Sequence, residues 1–186
     1  MATPLGYVLF DTAVGACALI WGERGLKGVW LPEAAPETTR ARILRRFPDA
    51  VEAAPPPEIG AAIEAITALL DGEANDLVGV RLDLTEVAEF ERRVYEAARA
   101  IPPGAVVTYG ELARRMGEPG AAQAVGRALA RNPFPLVVPC HRILAAGDRL
   151  HGFSAPGGLA TKRRLLQIEG ARRRDQPDLF DPAAQD

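Results

Sequence analysis

Cysteine and histidine are scarce in this chain, two of each among 186 residues, and that scarcity excludes whole classes of protein. Cys17 and Cys140 are too few for a disulfide framework. A tetrahedral zinc site would need both cysteines together with His141 and His151, so no metal and no cofactor are expected. Long apolar runs are missing too: none reaches the roughly 20 residues that cross a bilayer. The opening MATPLGYVLFDTAVG has neither the basic stretch nor the long apolar segment of a signal peptide. The expectation is a cytoplasmic protein that does not engage a membrane. Its 48% hydrophobic content is that of a chain that buries a core, either as one domain or as two small units sharing one.

Charge is balanced overall but not along the chain. From Arg92 to Arg174 fifteen basic residues face five acidic ones, an excess of ten, which leaves −12 for the remainder of a chain whose net charge is −2. Fourteen of the fifteen are arginine, whose planar fork suits phosphate oxygens. A polyanion is therefore the expected partner of the second half, and the acidic first half is expected to repel it. The plainer alternative is that these arginines line solvated helix faces.

Residues 5–31 contain short apolar segments broken by glycine and by the turn GERG, which predicts two or three antiparallel strands. Glu37 to Phe47 has helical spacing with arginine on the open face, and AAPPP at 53–57 closes it. Ile59 to Leu70 is again helical, with Ile63, Ile66, Leu69 and Leu70 on one face, and the alternation in VGVRLDL, residues 78–84, predicts a strand. This α/β unit ends near residue 85. A mainly helical unit follows over 86–171, with Phe90, Val94, Ala97, Ala98 and Ile101 facing inward and Pro102-Pro103-Gly104 as a stop. Within it TYGELARRMG and AAQAVGRALARN flank a glycine-containing turn and form a helix-turn-helix candidate. The tail 172–186 is polar and proline-containing, and reads as disordered.

Chemistry concentrates in PLVVPCHRIL, where Cys140 adjoins His141 and Arg142. A free thiol is only a few per cent thiolate at pH 7, so a reactive cysteine needs a base or a cation beside it. This spacing supplies both, although it is equally compatible with a cysteine packed at the end of a buried strand.

The block FERRVYEAARAIPPGAVVTYGELARRMGEPGAAQAVGRALARNPFPLVVPCHRILAAG, followed by GFSAPGGLATKRRLLQIEG, resembles the O6-alkylguanine-DNA alkyltransferases, also called methylated-DNA–protein-cysteine methyltransferases. The resemblance runs from about Phe90 to Gly170; residues 1–85 match the family only in layout. It implies an α/β N-terminal domain and a mainly α domain with a helix-turn-helix of winged-helix type. It also implies a monomer that binds double-stranded DNA, flips out an O6-alkylguanine and takes the alkyl group onto its own cysteine, once per molecule. By position, Cys140 would be the acceptor and His141 its base through a water. Glu169 would orient His141, Tyr109 would donate a proton to the leaving guanine, and Asn132 would brace the Cys140 turn.

DNA or base contacts fall by the same resemblance on Gln123, Ala121, Ala122, Arg127, Arg142, Pro135 and Ser154. Two departures stand out: Gln123 takes the place of the family's usual inserted arginine, and the loop GFSAPGG is longer than the common glycine loop. Arg127, one turn along the same face, is a partial substitute for the missing guanidinium. Gln123 also raises an alternative, a protein that binds alkylguanine damage with weak or no transfer. In QPDLF, the residues Gln176, Leu179 and Phe180 resemble a peptide that docks bacterial sliding clamps.

Overall fold

A computed structural model describes residues 5–171. The region QPDLF and the tail as a whole lie outside the described residues.

The N-terminal half is built on a four-stranded sheet in the order β3-β2-β1-β4. Strands β1 (Gly6–Thr12), β2 (Gly15–Gly22) and β3 (Gly25–Trp30) form the antiparallel meander expected from residues 5–31. Two helices follow, α1 (Pro36–Arg46) and α2 (Pro57–Leu70), each with proline in its first turn, where the missing N–H costs nothing. A two-residue strand β4 (Val51–Glu52), absent from the sequence reading, pairs parallel to β1 and makes the sheet mixed. It also shows that α1 ends at Arg46, several residues before AAPPP.

The strand expected over 78–84 does not form. Asn75 and Asp76 accept hydrogen bonds from the N–H groups two residues ahead, and Leu77 adopts a left-handed conformation with φ 56°. These turns absorb the first half of the segment. What remains is a single parallel bridge, in which the Leu26 N–H donates to the Arg81 carbonyl at 2.9 Å and the Asp83 N–H to the Leu26 carbonyl at 2.8 Å. Gly25 permits this approach, because a Cβ there would lie 2.6 Å from the Arg81 carbonyl oxygen.

The C-terminal half contains α3 (Glu89–Arg99), α4 (Tyr109–Arg115), α5 (Ala122–Ala130) and α6 (Gly158–Ile168), with a short parallel pair β5 (Val107–Thr108) and β6 (Ile143–Leu144). Helices α4 and α5 are the expected helix-turn-helix pair. Thr108 opens α4 with a reciprocal capping box: its hydroxyl accepts from the Glu111 N–H while the Glu111 carboxylate accepts from the Thr108 N–H. On α3 the buried positions are Val94, Tyr95 and Ala98, followed by Ile101, whereas Phe90 and Ala97 are only partly covered.

One apolar cluster joins the halves, running from Leu19 and Leu26 through Ile66 to Val94, Val137 and Leu165. Hydrogen bonds reinforce it: the Val29 N–H of β3 donates to the Pro133 carbonyl at 2.9 Å, and Arg164 donates to the Ala13 carbonyl at 2.7 Å. The loop that precedes Cys140 is thus pinned to the edge of the N-terminal sheet.

At the junction, Asp83 takes hydrogen bonds from the Thr85 N–H and hydroxyl and pairs with Lys27 of β3 at 3.3 Å. Burial would raise its pKa, but Thr85 and Lys27 outweigh it and bring it from 3.8 down to about 2. A carboxyl whose folded pKa lies below its unfolded value stabilises the fold above that value and stops doing so as the pH falls through the folded one. Asp83→Asn is therefore expected to lower stability by about 2 kcal/mol at neutral pH. The deficit should shrink toward zero as the pH falls from 3.8 to about 2, as read by denaturant unfolding of both proteins across that range.

Candidate active site

Cys140 begins a single 3-10 turn, Cys140–Arg142, directly after the buried run Leu136-Val137-Val138. Prolines at 135 and 139 prevent that run from pairing as an ordinary strand, and Leu136 takes φ 74°. Asn132 holds the bend from both sides. Its amide nitrogen donates to the Val138 carbonyl at 2.9 Å, and its side-chain oxygen accepts from the Phe134 N–H at 2.9 Å. The cysteine so placed is 9% exposed and lies on the wall of an open cavity of about 1080 Å³.

Behind the cysteine sits a fully covered polar cluster. Glu169, one residue past α6, accepts from His141 Nε2 at 2.8 Å and from Arg142 through a fork, Nε at 2.9 Å and Nη2 at 2.8 Å. Arg142 Nη1 donates to the Ile101 carbonyl at 2.6 Å, and the Gly104 N–H reaches Glu169 at 3.4 Å. Burial would raise the Glu169 pKa, but His141 and Arg142 bring it down to about 2, so the group is a carboxylate. Facing a carboxylate, Nε2 of His141 carries the proton, which leaves Nδ1 as the acceptor of the neutral ring. That Nδ1 is buried without a hydrogen-bond partner among the described residues. Burial also pulls the His141 pKa down, and the attraction of Glu169 only partly offsets it, so the ring is neutral at pH 7.

Burial pushes the Cys140 thiol up. The Asn132 amide, the Lys162 charge and the N–H groups of Cys140 and His141 act against that shift without cancelling it. Lys162 is the buried cation that sequence reasoning missed. It is fully covered and donates to the Ile143 carbonyl at 2.6 Å and the His151 carbonyl at 3.2 Å, so it ties the cysteine segment to the loop above it. Burial lowers its pKa to about 8, with Cys140 opposing. The signal was present: Lys162 precedes Leu165 and Leu166 by three and four residues and Glu169 by seven, which places it on the inner face of α6. TKRR nevertheless reads as an ordinary solvated run.

Across the cavity, Tyr109 projects from the first turn of α4, and its hydroxyl donates to the His151 carbonyl at 3.4 Å. Burial, and secondarily Cys140, raise its pKa, so it is a protonated donor. Gln123, Ala122 and Arg127 line the α5 side, while Ala121 stands at the N-cap of that helix outside the lining. Ser154 and Phe153 line the opposite side, in a loop braced where the Thr161 hydroxyl donates to the Pro156 carbonyl at 2.7 Å. Pro135 faces a second cavity that also reaches Cys140.

Arg142 requires a correction. Expected at the DNA, it is instead fully buried with its fork on Glu169, so its charge serves the interior. Arg99 is engaged with carbonyls of the 77–80 turn, and Arg93 and Arg131 are neutralised at the surface by Glu118 and Glu91. The positive charge available to a partner is smaller than the linear count of residues 92–174 suggests. On the rim of the cavity it comes from Arg114, Arg127 and Arg149, which are exposed and have no ion pair among the described residues.

Residues 89–171 match the family described as "6-O-methylguanine DNA methyltransferase, DNA binding domain". The methylated-DNA–protein-cysteine methyltransferase of Methanothermobacter thermautotrophicus is 34% identical over 152 residues, 82% of this chain and 78% of that protein. Its counterpart in Mycolicibacterium paratuberculosis is 41% identical over 126 residues, 68% of this chain and 74% of that one. Among solved structures, Mycobacterium tuberculosis OGT in complex with DNA superposes with a TM-score of 0.71 at 32% identity, covering 95% of this chain and 99% of that one. With relatives this similar over most of its length, and with a cysteine at the cavity wall backed by a buried histidine–carboxylate pair, the chain belongs to the methylated-DNA–protein-cysteine methyltransferase family.

Proposed function

We propose that Cys140 removes the alkyl group from O6 of a guanine in duplex DNA and keeps it as a thioether. The observation that carries this reading is a thiol at the cavity wall, backed by a neutral histidine whose acceptor nitrogen is fixed by a buried carboxylate. Nδ1 of His141, which has no direct hydrogen-bond partner among the described residues, takes the thiol proton through one water, and Glu169 stabilises the imidazolium that forms. The thiolate sulfur attacks the alkyl carbon, and the bond from that carbon to O6 breaks. Its electron pair moves into the guanine ring, where a hydrogen bond from the Tyr109 hydroxyl stabilises the charge until the ring takes a proton from solvent.

The product sulfur carries a stable alkyl group and nothing in the site hydrolyses it, so each molecule reacts once. Duplex DNA is held largely through phosphates: α5 presents Ala121, Ala122 and Ala124 for close approach, and affinity should fall steeply with salt. Gln123 fills the gap left by the flipped base, a shorter and neutral plug against an extrusion cost of a few kcal/mol. The protein works as a monomer in the cytoplasm, and Gln176, Leu179 and Phe180 offer a sliding clamp a docking peptide.

Intact-protein mass after incubation with a duplex carrying one O6-methylguanine is the direct test. A gain of about 14 Da is expected, equal to one methylene, and none with Cys140→Ser. No gain, with tighter binding to the lesion than to plain duplex, would instead establish the damage-binding alternative that Gln123 raises.

The pH dependence tests the base. Because burial holds the His141 pKa below its usual value, the transfer rate should stay high at neutral pH and fall only as the pH drops through that depressed value. His141→Asn should slow transfer by roughly 10²- to 10⁴-fold and abolish this acid limb. The variant's rate should then climb with pH toward the raised pKa of Cys140, as followed by single-turnover transfer on the lesion duplex.

A further inference from the structure

The second cavity that reaches Cys140 points to a DNA surface on the N-terminal half, the half whose net charge argues against one. Its volume is about 630 Å³, and it shares Ala130, Cys140 and Ser154 with the first, so the two form one trough from α5 across the cysteine to α1. Among the described residues, no aspartate or glutamate lines either cavity, whereas seven arginines do. Four of the seven belong to the second: Arg42, Arg45 and Arg46 from α1, and Arg131 just after α5.

Two of these four are already engaged, Arg42 with Glu33 and Arg131 with Glu91. Arg45 and Arg46 are exposed and have no ion pair among the described residues; Arg46 stacks over the Phe47 ring with 5.5 Å to its centroid. Both stand in the last turn of α1, where a cation suits the helix dipole, and that role alone would not require them to open onto the trough. A concave wall that carries one sign of charge and ends at the nucleophile concentrates an anion there.

We propose that Arg45 and Arg46 bind phosphates of the duplex that delivers the alkylated guanine, on the side of the lesion away from Arg114, Arg127 and Arg149. This rests on the reading of Cys140 as the acceptor only for its orientation; the contact itself is a matter of binding. The duplex then lies across both halves, and the N-terminal sheet acts as a platform that holds α1 against the backbone.

The test is the paired substitution Arg45→Gln with Arg46→Gln in the full chain, against the parent protein. Affinity for a duplex bearing one O6-methylguanine should fall by roughly tenfold at low salt. The slope of log affinity against log salt should become shallower by about 1.8, the release expected from two phosphate contacts. Transfer from O6-methylguanine as the free base, which has no phosphates, reports on the Cys140 site and should match the parent within twofold.

Unchanged affinity and slope would overturn the proposal. So would a parallel loss of affinity, free-base transfer and thermal stability, because the two arginines would then serve α1 itself. A loss seen only when duplex exceeds protein, and not at equal concentrations, would assign them to a second DNA molecule and equally overturn it. A parent protein that binds the duplex but gains no mass would sink the transfer reading, and the binding comparison would still decide the role of the two arginines.

Discussion

Glu169 is the residue on which the site depends. One buried carboxylate receives His141 from the turn that carries the nucleophile, Arg142 from the same turn, and the Gly104 N–H from the stop after α3. Arg142 extends the connection to the Ile101 carbonyl. The C-terminal end of α6, the cysteine turn and the α3 stop thus converge on two oxygen atoms. Such a cluster contributes little net stability against a well-packed apolar equivalent, since three polar groups must be taken out of water. Its contribution is to specificity of arrangement: Glu169 takes donors from His141, Arg142 and Gly104 at once, and that arrangement leaves Nδ1 of the histidine as the acceptor.

The paired cation explains a second choice. Without Arg142, Glu169 and His141 would form a buried acid–base couple free to share its proton either way. With a guanidinium forked across both oxygens, the carboxylate stays ionised, its pKa held at about 2, and the histidine keeps its Nε2 proton. Arg142 thereby sets the tautomer of its chain neighbour through the carboxylate they share. This is why an arginine inside the basic half of the chain is spent in the interior, and why counting charges along the sequence overstates what faces outward.

Of the site, the residues themselves showed only Cys140 beside His141 and Arg142, because those three are contiguous; Asn132, Tyr109 and Glu169 were reached through the family resemblance. The antiparallel meander was legible for the same reason, since alternation and glycine turns are short-range signals. What could not be read was placement between distant segments. Whether an arginine in PCHR points to solvent or onto Glu169 depends on a contact 27 residues away. The strand expected over 78–84 failed because the Asn75 and Asp76 turns precede it, an override of alternation by local side-chain hydrogen bonding. That α1 of the acidic half would turn its arginines toward the same trough as Cys140 is invisible to any count of net charge by region.

Burying the nucleophile runs against the usual way of activating a cysteine, in which nearby positive charge holds the thiolate ready. At 9% exposure the Cys140 pKa is raised, and Lys162, itself pulled down to about 8, does not reverse that. For an enzyme that turns over many times, a resting thiol would be a defect. For a protein that spends itself on one alkyl group, a resting thiolate would be the defect, since any oxidant or stray electrophile would consume the molecule before it met a lesion. On the proposed mechanism, a protonated thiol served by a neutral histidine resolves the conflict, because the thiolate is consumed as it forms. In that mechanism the covered His141–Glu169–Arg142 cluster supplies the base for the deprotonation at neutral pH.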